Sequence, residues 1–98
     1  MTTYLGNGWV EFRFYRPEVS QVCVAGSFNR WNVQSTPMQA EDAGWWSLSL
    51  RLESGEHQFR YIADGKWYTD HAANGIERSR GVWNSLLVVP SPAIRIAA

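Results

Sequence analysis

Two tryptophans stand beside chain-reversal signals. Trp31 closes the run Gly26-Ser27-Phe28-Asn29-Arg30-Trp31, and Trp67 closes Asp64-Gly65-Lys66-Trp67. A large flat ring at a turn, outside an alternating strand pattern, faces solvent more often than a core aromatic does, and an exposed flat ring is a surface on which a ligand stacks. The chain holds six tryptophans in 98 residues. Other chemistry-bearing residues are sparse. His57 and His71 are far apart, with no cysteine or second histidine at ligand spacing, so no metal is expected. Cys23 is the single cysteine, which excludes an intradomain disulfide, points weakly to a reducing compartment and, with no catalytic signature around it, reads as an inert thiol. No cofactor is implied, and the chain reads first as a small ligand-binding module.

Those residues need a scaffold, and its size is bounded by composition. A chain of 98 residues makes one domain, large enough to bury roughly 60–70% of its extended surface. Nine basic residues balance nine acidic ones and are scattered, so no stripe for a phosphate backbone exists and nucleic acid is not an expected partner. Residues 1–8 lack the basic and apolar segments of a secretory signal, and the longest apolar run, residues 86–89, is far too short to span a bilayer. These features read as a soluble, cytoplasmic protein without membrane contact.

Apolar residues alternate at period two along almost the whole chain, as in strands with one buried face. Val10, Phe12 and Phe14 alternate with Glu11 and Arg13, and Val22 and Val24 with Gln21 and Cys23. Trp46, Leu48, Leu50 and Leu52 interleave with Ser47, Ser49 and Arg51, while Phe59, Tyr61 and Ala63 share a face opposite Gln58, Arg60 and Ile62. A last apolar strand covers residues 82–89 and stops at Pro90 and Pro92. Breakers separate these runs, and Asp64-Gly65 is the strongest two-residue hairpin signal among them. Six or seven short strands without a helical period predict an all-β, antiparallel two-sheet sandwich over residues 1–90, with residues 91–98 as a flexible tail.

At this point the ordered motifs resemble a known family. The run from Val22 to Trp31, Gly55-Glu56-His57-Gln58-Phe59-Arg60-Tyr61, Asp64-Gly65-Lys66-Trp67 and Asn84-Ser85 are similar to the family-48 carbohydrate-binding module. That family includes the glycogen-binding domain of the AMP-activated protein kinase beta subunit and the early-set domain of isoamylases and glycogen branching enzymes. The resemblance covers about residues 8–89. It implies an immunoglobulin-like early-set sandwich that binds α-1,4-linked glucans such as glycogen, starch or maltooligosaccharides. By position, Trp31 and Trp67 match the stacking tryptophans, Arg60 matches the basic donor (a lysine in the kinase domain) and Asn84 matches the amide partner. Two positions depart: Arg80 stands where the kinase module has a leucine, and Val82 where it has a threonine. Residues 71–81 also lack the family's proline-containing loop.

Physically, the apolar C–H face of a glucose ring suits an indole, and its edge hydroxyls suit a guanidinium fork and an amide. Arg60 and Asn84 fit those roles, with Lys66 and Arg80 as edge contacts. Arg60 reads equally well as an ordinary surface charge or as a partner of Asp64, and Lys66 as a solvated turn residue. Strand parity sends Trp83 to the core if Asn84 faces sugar. The same parity makes Trp46 core and turns Trp45 outward, as an accessory contact or part of a protein interface, while Trp9 reads as a packing residue. Asp64 with Asp70, or Glu53 with Glu56, can be drawn as a glycosidase pair, but both fall at turns or strand ends where solvation is the simpler role, and no catalytic residue is expected. The glucan reading predicts exposed, roughly coplanar Trp31 and Trp67 rings beside Arg60 and Asn84. The rival reading is an early-set protein-interaction domain that packs on a glucan-active enzyme or on its own copy, with those rings buried or tucked under residues 71–81.

Overall fold

The computed structural model describes residues 1–91, so residues 92–98 of the expected tail lie outside the described residues. Nine strands follow one another: β1 (Thr2–Gly6), β2 (Trp9–Tyr15), β3 (Val22–Gly26), β4 (Gln39–Ala40), β5 (Trp45–Arg51), β6 (Gly55–Ala63), β7 (Lys66–Tyr68), β8 (Gly75–Ser79) and β9 (Val82–Val89). They form two antiparallel sheets, one ordered β1-β2-β5-β4 and the other β3-β6-β9-β8, with β7 also paired to β6. The all-β sandwich expected from alternation is therefore the observed architecture. Among the described residues, helix is confined to two single 3-10 turns, and no helix is long and apolar enough to cross a membrane.

Alternation explains the packing. Val10, Phe12 and Trp46 of the first sheet meet Val22, Val24, Phe59, Tyr61, Ala63, Leu87 and Val89 of the second in one buried cluster. Four rings tie the sheets together: Phe12 meets Phe59 edge-on at 5.2 Å, Phe59 meets Tyr61 at 5.5 Å, and Phe14 stacks on Tyr61 at 4.4 Å. Such pairs add to the burial of their area by about 0.5–1.5 kcal/mol each. The Trp46 indole N–H, on the same inner face, donates to the Arg16 carbonyl at 3.0 Å, so its polar tip is satisfied.

The two hairpins beside the second sheet have left-handed turns. Asp64 (φ 47°) and Gly65 (φ 82°) join β6 to β7, and Arg80 (φ 52°) and Gly81 (φ 80°) join β8 to β9. Positive φ at both central residues is the type I′ geometry whose twist matches paired strands. The first of these is the predicted Asp-Gly hairpin. The second corrects the view of residues 71–81 as a loop, because residues 75–79 are a strand. With Ile76 its only large apolar side chain, β8 offers no alternation to read, and its charged residues suit an exposed edge. For similar reasons β1 and the two-residue β4 were not predicted.

Three buried polar residues clip the chain beyond β7 to the core. Asp70 is 7% exposed, and its carboxylate accepts the Tyr61 hydroxyl at 2.9 Å, the Ala72 N–H at 2.9 Å and the Met1 nitrogen. Its backbone N–H donates to Ser85 Oγ at 2.6 Å, and Ser85 Oγ donates back to the Asp70 carbonyl at 3.0 Å. Burial, then the Asp70 charge and hydrogen bond, push the Tyr61 hydroxyl well above the ordinary phenol range, so it stays a donor. Asp70 is thus a structural acceptor rather than the solvated carboxylate expected. Asp64 likewise takes the Ser20 and Gln21 N–H groups, at 3.0 and 3.1 Å.

Two outcomes follow. Tyr61→Phe leaves a buried carboxylate short of one donor and lowers unfolding free energy by about 1–3 kcal/mol, measured as a shift of the urea midpoint at constant slope. Cys23 is buried, and desolvation raises its thiol pKa, so iodoacetamide at mildly alkaline pH modifies the native protein far more slowly than the urea-unfolded chain.

Candidate functional site

Trp31 reaches the surface through a tightly bonded turn. The Gly26 backbone runs so close to β6 that a Cβ there would sit 2.4 Å from the Gln58 carbonyl and 2.6 Å from the Phe28 ring, so only glycine fits. Asn29 closes the turn: its Oδ1 accepts the Gly26 N–H at 3.0 Å, and its Nδ2 donates to the Val24 carbonyl at 3.1 Å and to Thr36 Oγ1 at 2.9 Å. Ser27 Oγ accepts the Gln58 N–H at 3.1 Å, and Phe28 packs on Phe12 at 5.9 Å. The chain then takes two left-handed steps, Arg30 (φ 56°) and Trp31 (φ 58°), while the Trp31 N–H returns to the Gly26 carbonyl at 2.9 Å. Two non-glycine residues in this region are strained and are held there by the surrounding bonds.

Trp67 arrives from a strand instead. One edge of β6 pairs with β9 over residues 55–59 and with β7 over residues 61–63; Ile62 faces Trp67 and Phe59 faces Ser85. Parity then puts Gln58, Arg60, Ile62, Trp67, Val82 and Asn84 on the outer face of this sheet. Arg60 falls between the first residues of β9 and the last of β7 along this edge, with Asn84 on one side and Trp67 on the other. Its guanidinium carbon lies 5.1 Å from the Trp67 ring centroid, a cation–π contact. Burial lowers the Arg60 pKa, and its Nε is buried without a hydrogen-bond partner among the described residues. Asn84 Nδ2 donates to Gln58 Oε1 at 3.0 Å, and Gln58 Nε2 donates to Glu77 Oε2 at 3.3 Å, so the buried Asn84 amide is held in one orientation.

These side chains line one open depression of about 580 Å³, bounded by Trp31, Gln58, Arg60, Trp67, Ser79, Arg80, Val82 and Asn84. A larger depression, about 940 Å³, lies at the other end of β9 around Tyr4, Gly8, Arg51, Glu53 and Val89. It lacks a pair of aromatic faces, and its Tyr4 hydroxyl already accepts the Gly8 N–H at 3.0 Å. The smaller depression is the candidate site, because its rings and polar groups converge.

Of the residues expected there, Trp31, Arg60, Trp67, Asn84 and Arg80 come together, and Lys66 does not: it follows the opposite parity to Trp67 and does not line the depression. Arg60 is not the partner of Asp64, whose carboxylate is taken by backbone N–H groups. The Trp31 and Trp67 rings are not coplanar; they stand 6.5 Å apart at 42°, since one hangs from a strained turn and the other from a strand. Trp67 is 39% exposed and Trp31 half-buried. Trp83 has core parity yet is 48% exposed, because it sits at the start of β9 where the facing sheet offers no cover. Trp9 is 44% exposed rather than packed. Gln58 and Ser79 were not singled out, although Gln58 shared the outward parity of Arg60.

Chemically, the depression offers two aromatic faces, a guanidinium and amides, with no carboxylate among its lining residues. Among the described residues, no group of three or more His, Cys, Asp or Glu is placed to hold a metal. His57 is occupied locally, its Nε2 lying 2.8 Å from the Glu53 carbonyl.

The sequence pattern of the glycogen recognition site of AMP-activated protein kinase matches residues 8–95. Over 70 residues, 71% of this chain, the sequence is 39% identical to Protein PTST homolog 2, chloroplastic, of Arabidopsis thaliana. It is 36% identical over an equal length to Protein FLOURY ENDOSPERM 6, chloroplastic, of Oryza sativa subsp. japonica. The chain spans 13% of the length of each of these plant proteins. The beta-2 subunit of human 5'-AMP-activated protein kinase is 29% identical over 69 residues, which are 70% of this chain and 25% of the subunit. With the match running through nearly the whole sandwich, this chain belongs to the family of the glycogen recognition site of AMP-activated protein kinase.

Proposed function

We propose that residues 1–90 form a single non-catalytic module that binds α-1,4-glucan chains, such as glycogen, starch or maltooligosaccharides, across the depression between Trp31 and Trp67. The observation that carries this reading is the convergence of both rings with Arg60, Asn84 and Arg80 on one open face. Each indole offers its face to the C–H face of a glucose unit, while Arg60 donates to hydroxyl oxygens and the Gln58-oriented Asn84 amide meets the hydroxyl rim. The rings stand at 42° instead of the roughly coplanar arrangement the glucan reading expects, so a bound chain has to turn one glucose relative to the next to meet both faces. Arg80 and Val82 line the rim and adjust the grip on chain length, and Lys66 is a solvated residue at the start of β7.

A shallow, wet site of this kind binds single chains modestly and gains from repetition along a polymer. The module's task is to bring an attached or associated glucan-active protein to that polymer. Its lone thiol, buried and reduced, fits a cytoplasmic setting.

Maltoheptaose titrated against the protein, followed by tryptophan fluorescence and calorimetry, gives saturable binding, and cellohexaose gives none. Trp67→Ala and Trp31→Ala each weaken it by about 1–2 kcal/mol, roughly five- to thirtyfold in Kd, without loss of the folded spectrum. A folded wild type that stays silent at millimolar maltoheptaose defeats the reading, and release of reducing sugar on long incubation defeats its non-catalytic part. Because the ligand is neutral and displaces no counterions, tenfold more NaCl changes Kd by less than about twofold. A steep salt dependence would point to a charged ligand instead.

A further inference from the structure

The outer face of the opposite sheet repeats the chemistry of the first site. On β2 the outward residues are Trp9, Glu11, Arg13 and Tyr15, and each stands across from an outward residue of β5: Arg51, Ser49, Ser47 and Trp45 in turn. At one end, Tyr15 and Trp45 pair at 5.2 Å with 58° between their rings. The Arg13 guanidinium carbon lies 4.5 Å from the Trp45 ring centroid, as Arg60 lies over Trp67 at 5.1 Å. Tyr15 is 53% exposed, and Trp9 at the far end of the stripe is exposed as well. Between these ends run hydroxyls and charges, with Gln39 of β4 beside Ser47. The six residue steps from Trp9 to Tyr15 make the stripe about 20 Å long.

From this arrangement we infer that Trp45, Tyr15 and Arg13 form a second saccharide site for α-glucan, on the face opposite Trp31 and Trp67. Charge complementarity selects the occupant. Arg13 is neutralised by Glu41 at 3.5 Å, and Arg51 shares the face with Glu11, so the stripe carries hydrogen-bonding groups with no net charge. That suits a neutral polyol and offers nothing to a nucleic acid or an anionic lipid. Protein interfaces put aromatic anchors at the centre and deplete charge there, whereas this stripe has its aromatic residues at the ends and the charged Glu11 and Arg13 between them. A thin, hydroxyl-rich chain lying along the strands meets both requirements.

The inference goes beyond the first site, though its choice of ligand rests on the glucan reading. Sheets packed roughly 10 Å apart point their outer faces in opposite directions, so a short oligosaccharide cannot touch both. Separate chains of one polymer, or of two, can. The module then bridges chains rather than merely attaching to one, and its hold on a branched particle exceeds either contact alone.

The test follows the six tryptophan indole N–H signals in a nitrogen–proton NMR spectrum of the whole protein during a maltoheptaose titration, assigned by single Trp→Phe variants. The expected result is saturating movement of the Trp45 signal with its own Kd, retained in Trp67→Ala and absent with cellohexaose. Arg13→Gln is expected to weaken that response roughly fivefold while leaving the Trp31 and Trp67 response and the spectral dispersion intact. Movement of Trp31 and Trp67 with a still Trp45 overturns the second site and leaves the first. Loss of the Trp45 response in Trp67→Ala also overturns it, since only one site would then exist. Movement of Trp45 alone upholds it and defeats the first site, and no movement at all defeats both.

Discussion

Everything on the candidate binding face hangs on how β6 meets β2 in the core. Phe59 and Tyr61 are locked edge-on and face-on against Phe12 and Phe14. That grip fixes which half of β6 is inside, because a one-residue slip would exchange the two faces of the strand. With Phe59, Tyr61 and Ala63 inside, Gln58, Arg60 and Ile62 have no choice but to face out. β9 and β7 pair with the same edge of β6 and inherit that parity, which delivers Asn84, Val82 and Trp67 to the same face. The site is thus the reverse side of the core.

Much of this was legible because alternation is a burial signal. The strands with period-two patterns, around Phe12, Val24, Leu48 and Tyr61, and the apolar last strand around Leu87 are the ones that fill the core. Asp64-Gly65 announced its hairpin because few residues accept two successive positive φ values. Strands held by pairing rather than burial gave no such signal. Residues 75–79 are nearly all exposed, and β4 contributes two exposed residues, so their sequences record the demands of solubility instead of packing. Trp83 failed for a different reason. Parity states which side a residue faces, while burial also needs an opposing layer, and the start of β9 has none to offer.

The site residues were visible as motifs, but their tilt was not. Trp31 leaves its turn through two left-handed residues, a geometry set by three hydrogen bonds of Asn29 and by the absence of a side chain at Gly26. No periodicity encodes that direction. The functional weight of Gly26, Ser27 and Asn29 is therefore indirect: they touch neighbouring backbone, and through it they aim an indole.

Rigidity is what so shallow a surface needs if it is to bind. An open depression excludes little water, so each contact gains little, and any side chain that had to be ordered on binding would erase that gain at roughly 0.5–1.5 kcal/mol. Here the ordering is built into the domain itself. Arg60 is stacked on Trp67, Asn84 is tied through Gln58 to Glu77, and Trp31 is bonded back to Gly26. The same economy holds across the sandwich, where Arg13 is fixed between Trp45 and Glu41. A flexible lysine in place of either arginine would supply the charge without the planar stack and would have to be ordered by the ligand itself. Preformed cation–ring pairs thus give the sandwich flat, oriented aromatic surfaces without a cleft.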